Sequence, residues 1–429
     1  MGKQADIYFK VHPFSIREEG FSPAYAQVSE SVFSIANEYM GVRGYFEEGY
    51  SGERLVGSYF NGIYEKKEQG GEGYKGIVHT TEYMVNAVDW LYVRIRAGEE
   101  ALDLNVSGNE NFERTLDMKN GLLTRSFTWI LKNGKKIQLC LERLVSMQQF
   151  RIGAQRIRMT SVDYDGDVTM EVGLDFSNPH LSDGRCRWQI KEQESTEGRL
   201  LLSGITETTG FMVRSTAAYR AEDWQETTQT REEKKLVRTL QCTLHPGKTA
   251  KLERLVCNQA YGSHSSELLP EECKKQADEQ LAEAGSFDSL LEKNEAWWRN
   301  VWETADIVIE GDELNQQGIR FCIFQLFQTF HGALKGANIG AKGLTGEAYN
   351  GNAFWDTETY CLPFFLFQNK EAARNLLYFR YATLPEAKER AADLDCKGAF
   401  YPIATISGRE CCNLWQHASL QLQASTAVA

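Results

Sequence analysis

From about residue 5 to about residue 265 the chain alternates apolar and polar positions in short runs with a period of two. The runs Leu91-Tyr92-Val93-Arg94-Ile95-Arg96, Leu123-Thr124-Arg125-Ser126-Phe127-Thr128-Trp129 and Lys136-Ile137-Gln138-Leu139-Cys140-Leu141 each offer one apolar and one polar face, as half-buried strands do. Asn133-Gly134, between the last two, is a hairpin-turn signal. Many such strands without a long amphipathic helix predict a large antiparallel β-sandwich. Near Pro270 the period becomes helical. Pro270, Glu271 and Glu272 make a favourable first turn, Gly285 ends that helix, and Ser286 can cap the next. In this second helix Phe287, Leu290, Leu291, Trp298, Val301 and Trp302 form one wide apolar stripe, read here as packing. From about residue 312 the pattern is helical again, and residues 319–330 are apolar on nearly all faces. Further helices are predicted over 357–367, 369–383, 384–395 after a break near Pro385, and 419–429.

A chain of 429 residues exceeds one ordinary domain, so a multidomain α+β protein is expected. The net charge of −12 argues against a nucleic-acid or anionic-membrane surface, although a local cationic pocket for phosphate fits within it. The first residues lack the apolar core of a signal peptide, and no apolar run approaches the ~20 residues of a membrane span. The ten cysteines show no metal-binding spacing, and thiols in a reducing cytoplasm are the simpler reading. A cytoplasmic protein with no metal is therefore expected. The 9 Trp, 18 Tyr and 22 Phe suit carbohydrate binding and a large sandwich core equally well.

The densest chemistry lies in residues 342–358, where glycines, aromatics and carboxylates crowd between two apolar segments. Glycine permits irregular backbone where a ligand comes close. Aromatic faces beside acids match a sugar ring, which offers apolar C–H surface on one side and hydroxyls on the other. The competing reading makes Asp356 a helix cap, with Phe354 and Trp355 as core.

The run Gly343-Leu344-Thr345-Gly346-Glu347 through Tyr349, Gly351 and Phe354-Trp355-Asp356-Thr357-Glu358 resembles the loop entering the sugar site of glycoside hydrolase family 65. That family consists mainly of inverting phosphorylases, which split α-glucosidic disaccharides with inorganic phosphate. Residues 33–44, with Asn37, Gly41, Arg43 and Gly44, are similar to a first hallmark of its N-terminal sandwich, and Arg114 to Arg125 to a second. Taken alone, both read as strand ends feeding glycine turns. Arg380-Tyr381, Leu384, Gly398-Ala399 and Tyr401-Pro402 resemble the family's (α/α)6 catalytic barrel. The resemblance implies an N-terminal β-sandwich over 1–268, a helical linker over 269–311, and the first part of an (α/α)6 barrel over 312–429.

It also implies roles. Asp356 accepts hydrogen bonds from glucose hydroxyls, Trp355 packs on the ring, and Trp415 and Gln416 line the same pocket toward the aglycone. Glu347 is a sugar ligand or a hydrogen-bond partner within the loop. Arg409 stands where an acid is usual and Gln416 where many members have Glu, so a relative's disaccharide specificity does not carry over. Kojibiose is the first candidate substrate. An inverting phosphorylase needs a general acid and a held phosphate, with no other cofactor. The family's acidic Pro-Asp-Glu-Tyr-like motif is absent from this sequence, so the general acid is expected beyond residue 429, the chain is read as an N-terminal fragment inactive alone, and a homodimer is expected at full length. Glu347, Asp356, Glu358 and Glu410 are the carboxylates that could replace it. A related α-glucoside hydrolase such as a trehalase, and a non-catalytic sugar-binding fragment, are the alternatives.

Overall fold

The computed structural model describes residues 9–70, 74–181, 183–262 and 270–429. Among these, the strands of the N-terminal region form two large antiparallel sheets. The ten-stranded sheet runs in the order Phe9–Lys10, Ser15–Glu19, Gly108–Asp117, Leu122–Ile130, Lys136–Val145, Ile152–Ser161, Thr249–Tyr261, Met212–Glu222, Arg199–Thr206, Trp188–Thr196. The five-stranded sheet runs Gln225–Arg231, Lys235–Leu244, Gly166–Asp175, Val93–Ala97, Glu100–Ala101. Alternation decides which side chains meet between them: Leu139, Leu141, Ile157 and Met159 from one sheet share a core with Val168, Met170, Val172 and Leu174 from the other. The turn at Asn133-Gly134 joins Leu122–Ile130 to Lys136–Val145 in the register Ile130 opposite Lys136, with Gly134 at φ +81.

Helix Pro270–Ala284 begins at the expected proline, and Ser286 accepts from the Ser289 amide to cap helix Phe287–Ala305. Phe287, Leu290, Trp298 and Val301 are buried, and Trp298 stacks on Phe324 at 4.4 Å. That contact joins this helix to Glu313–Thr329, which carries its own polar anchors. Gln317 donates to the Ser15 carbonyl at 2.8 Å, Arg320 forms a two-pronged pair with Asp306 at 2.7 Å, and Gln328 accepts from the Ala36 amide at 3.0 Å. The helix is therefore seated on the sandwich by side chains that a purely apolar reading overlooks.

Two helix predictions are corrected. The segment expected as one helix over 357–367 starts as a π-turn, Thr357–Cys361, before Leu362–Gln368, because Pro363 cannot donate to the i−4 carbonyl. The terminal helix over 419–429 is two short ones, Trp415–Leu420 and Gln423–Val428, separated at an extended Gln421. Lys370–Ala382, capped by Asn369, and Leu384–Asp393 match the pattern.

Beneath the sandwich face nearest the helices lies a lattice of buried ions. Arg114 grips Glu18 through two nitrogens at 2.7 and 2.5 Å, and Arg125 grips Glu48 at 2.6 and 2.5 Å. Both guanidiniums also lie over the Phe46 ring, at 5.3 and 4.2 Å. The second hallmark, Arg114 to Arg125, thus places two buried arginines directly opposite each other on neighbouring antiparallel strands. Removing one partner leaves an uncompensated buried carboxylate, a cost of about 3–5 kcal/mol. Arg114→Ala should lower unfolding free energy by that amount in urea titration, whereas exposed Arg299→Ala should change it by under about 0.5 kcal/mol.

Candidate functional site

The loop between helices Glu313–Thr329 and Leu362–Gln368 is held by the sandwich at several points. Glu38, fully buried at φ +71, accepts from the amides of His331, Ala333 and Leu334 at 2.8, 3.0 and 2.9 Å. Arg43 donates to the Thr345 carbonyl at 2.5 Å while its other nitrogens reach Leu55 and Ser31. The sandwich also holds the later segment after helix Leu384–Asp393, where Glu82 accepts from the amide and hydroxyl of Ser407 at 3.0 and 2.7 Å.

The loop glycines answer to the same closeness. Gly351 stands at φ +71, and a Cβ there would come within 2.5 Å of Met84. Gly41, in the first hallmark, leaves no room for a Cβ because the Leu344 carbonyl lies against it. Both need glycine for the approach of loop to sandwich, where the sequence suggested the approach of a ligand at Gly351 and a turn at Gly41.

The four candidate carboxylates divide sharply. Glu358 is buried in a two-pronged pair with Arg380 at 2.7 and 3.0 Å. Glu410 is buried, accepts from the amides of Ile403 and Cys412 at 2.8 and 2.9 Å, and has its pKa raised by burial. Glu347 is buried against the sandwich: it accepts from the Tyr59 hydroxyl at 3.2 Å and the Leu181 amide at 2.7 Å, and lies 3.2 Å from His180 Nε2. Only Asp356 is exposed, caps no helix amide, and makes no hydrogen bond or ion pair among the described residues. The helix-cap reading of Asp356 therefore fails on geometry.

Trp355 is half-buried and rests on Ile403, Ala404 and Ala424, with Phe354, Tyr401 and Cys412 beside it. An antiparallel bridge pins this segment: Ala353 and Thr405 exchange amide-to-carbonyl bonds at 2.8 and 3.1 Å. The structure thus brings Trp355 and Asp356 against the segment that leads to Trp415 and Gln416. Trp415 is half-buried, its Nε1 donating to the Lys75 carbonyl at 2.7 Å, and Gln416 is exposed. Glu347 faces Tyr59 and His180 instead. Arg409 pairs with Glu389 at 3.0 Å on the surface.

Sequence reasoning missed Glu38, Tyr59, Glu82 and His180. Each acts on a partner more than 160 positions away in the chain, so no local pattern marks it. Among the described residues no group of three His, Cys, Asp or Glu could hold a metal ion, and no helix is long and apolar enough to cross a membrane.

Burial pushes the Glu347 carboxyl up to about 7 and pushes His180 down. Both shifts oppose the charges of an ion pair, so burial disfavours a doubly charged Glu347–His180 contact. A folded-state pKa above the usual carboxylate value means the stability it contributes is present at low pH and is lost as pH rises through about 7. Between about pH 5.5 and about pH 8 the loss should be about 2 kcal/mol. Glu347→Gln, which keeps an acceptor for Tyr59 and Leu181, should flatten that slope in chemical denaturation at the two pH values.

The first 16–301 residues match the glycosyl hydrolase family 65 N-terminal domain, and residues 320–428 match the glycosyl hydrolase family 65 central catalytic domain. The maltose phosphorylase of Bacillus subtilis is 32% identical over 424 residues, 95% of this chain and 54% of that protein. The kojibiose phosphorylase of Thermoanaerobacter brockii is 31% identical over 394 residues, 87% of this chain and 48% of that protein. A solved human-microbiome structure, provisionally named kojibiose phosphorylase, superposes with a TM-score of 0.93 at 40% identity, covering 98% of this chain and 55% of that one. The chain spans about half the length of the curated relatives it matches. A β-sandwich followed by the opening helices of an (α/α)6 barrel is the architecture these matches share with it, and the chain belongs to glycosyl hydrolase family 65.

Proposed function

We propose that this chain carries the glucosyl-binding part of an inverting α-glucoside phosphorylase, with kojibiose as first substrate and β-glucose 1-phosphate as product. The observation that carries the reading is the sorting of carboxylates: three are committed to protein partners, and Asp356 alone is open beside the half-buried Trp355. The family and its phosphorylase relatives support the same chemistry.

In this reading Trp355 packs on the C–H face of the glucosyl ring while Asp356 accepts hydrogen bonds from its hydroxyls. Those bonds tighten as positive charge develops at the anomeric carbon. A general acid protonates the glycosidic oxygen, and a phosphate oxygen attacks the anomeric carbon from the opposite face. The acid and the phosphate ligands belong to the part of the family's catalytic domain that lies outside this chain. Inorganic phosphate is then the co-substrate and no metal or other cofactor takes part; the whole protein is a cytoplasmic homodimer. Glu347, facing the sandwich, serves the sugar by holding its loop.

The test takes this chain extended to the length of its relatives and measures phosphate-dependent release of glucose 1-phosphate from kojibiose, trehalose, nigerose, maltose and glucosyl-glycerol. Asp356→Ala should lower kcat/KM by about 2–4 kcal/mol of transition-state stabilisation. Glucose release without phosphate would move the activity to hydrolysis, and undiminished turnover in Asp356→Ala would remove that residue from the site.

A further inference from the structure

The sandwich hairpin formed by Tyr64–Glu68 and Thr80–Met84 sends its connecting loop across to the helical region. Two carbonyls of that loop are captured there. The Lys75 carbonyl accepts from Trp415 Nε1 at 2.7 Å, and the Gly76 carbonyl accepts from Arg390 at 2.8 Å. Arg390 is only 7% exposed, and the same nitrogen reaches the Ala418 carbonyl and the Ser419 hydroxyl at 2.9 and 3.2 Å. One buried guanidinium therefore locks the sandwich loop to the helix that begins at Trp415. Lys75 pairs with Asp395, and Gly76, at φ +79, packs against the end of the Leu394 side chain.

This anchored backbone presents an aromatic side chain to solvent. Tyr74 is 73% exposed, and its ring lies 5.7 Å from that of Trp415 at an angle of 42°. The two rings touch in a tilted pair whose Tyr74 side is open to solvent. Trp415 has its indole N–H spent on Lys75, so it offers a flat apolar face, and the Gln416 amide next to it is exposed with donors and an acceptor free for hydroxyls. A preset pair of rings loses little freedom on binding, which is the property a stacking platform needs.

We propose that Tyr74 is a specificity-determining residue: the pyranose ring of the leaving-group sugar stacks on the solvent-facing side of the Tyr74–Trp415 ring pair. This rests on the reading of Trp415 and Gln416 as the aglycone side. It separates acceptors by chemistry, because a pyranose has a C–H face to stack and glycerol has none.

The experiment follows binding of kojibiose and of glucosyl-glycerol by saturation-transfer NMR titration of the chain, for wild type, Tyr74→Ala, Tyr74→Phe and Asp356→Ala. Tyr74→Ala should weaken kojibiose about three- to tenfold and leave glucosyl-glycerol unchanged, while Tyr74→Phe keeps both. Equal kojibiose affinity in Tyr74→Ala, or equal loss for both ligands, overturns the inference. Asp356→Ala should weaken both ligands, since both carry glucose. If it weakens neither, the glucosyl site is misplaced even where the Tyr74 selectivity stands, and if wild type binds neither ligand, both readings fall.

Discussion

The course of the chain leaving helix Glu313–Thr329 depends on one buried carboxylate. Glu38 sits at a left-handed backbone position that costs a non-glycine residue on the order of 1 kcal/mol or more, inside a sandwich turn with no access to water. It persists because three loop amides, at His331, Ala333 and Leu334, donate to it. Hydrogen bonds to a charged acceptor contribute about 1.5–3 kcal/mol each, enough to hold the strained turn and to set the course of the chain leaving helix Glu313–Thr329. Arg43 repeats the device with reversed polarity at Thr345. The sandwich is thus the mould on which the sugar loop is cast.

That mould explains why the carboxylates of the loop region differ in what they can do. Arg380 neutralises Glu358, backbone amides surround Glu410, and Tyr59 with Leu181 occupies Glu347. Buried carboxylates turned toward protein partners are out of reach of sugar hydroxyls. Asp356, on the first turn after the Ala353–Thr405 bridge, is presented by a pinned backbone without being tied itself. Rigid placement of an untied group is what preorganised recognition requires.

The period-two runs, the switch near Pro270 and the Ser286 cap made the two-part architecture legible from sequence alone, since each is a local property of a few neighbouring residues. The loop stood out through its density of glycines, aromatics and acids, but what its glycines answer to was not legible. Gly351 and Gly41 answer to Met84 and Leu344, contacts that exist only after the sandwich and helices have met. Arg114 and Arg125 read as turn chemistry and proved to be buried ions with partners far along the chain. The π-turn at Thr357–Cys361 escaped as well, because helical periodicity does not resolve one inserted residue.

The dependence of the sugar loop on the sandwich can be measured by amide hydrogen exchange in wild type and Glu38→Ala. If Glu38 holds the loop, amides from His331 to Asp356 should lose protection in the variant, while strands Lys136–Val145 and Ile152–Ser161 keep theirs. Unchanged protection across the loop, or a loss spread evenly over loop and strands, would contradict it.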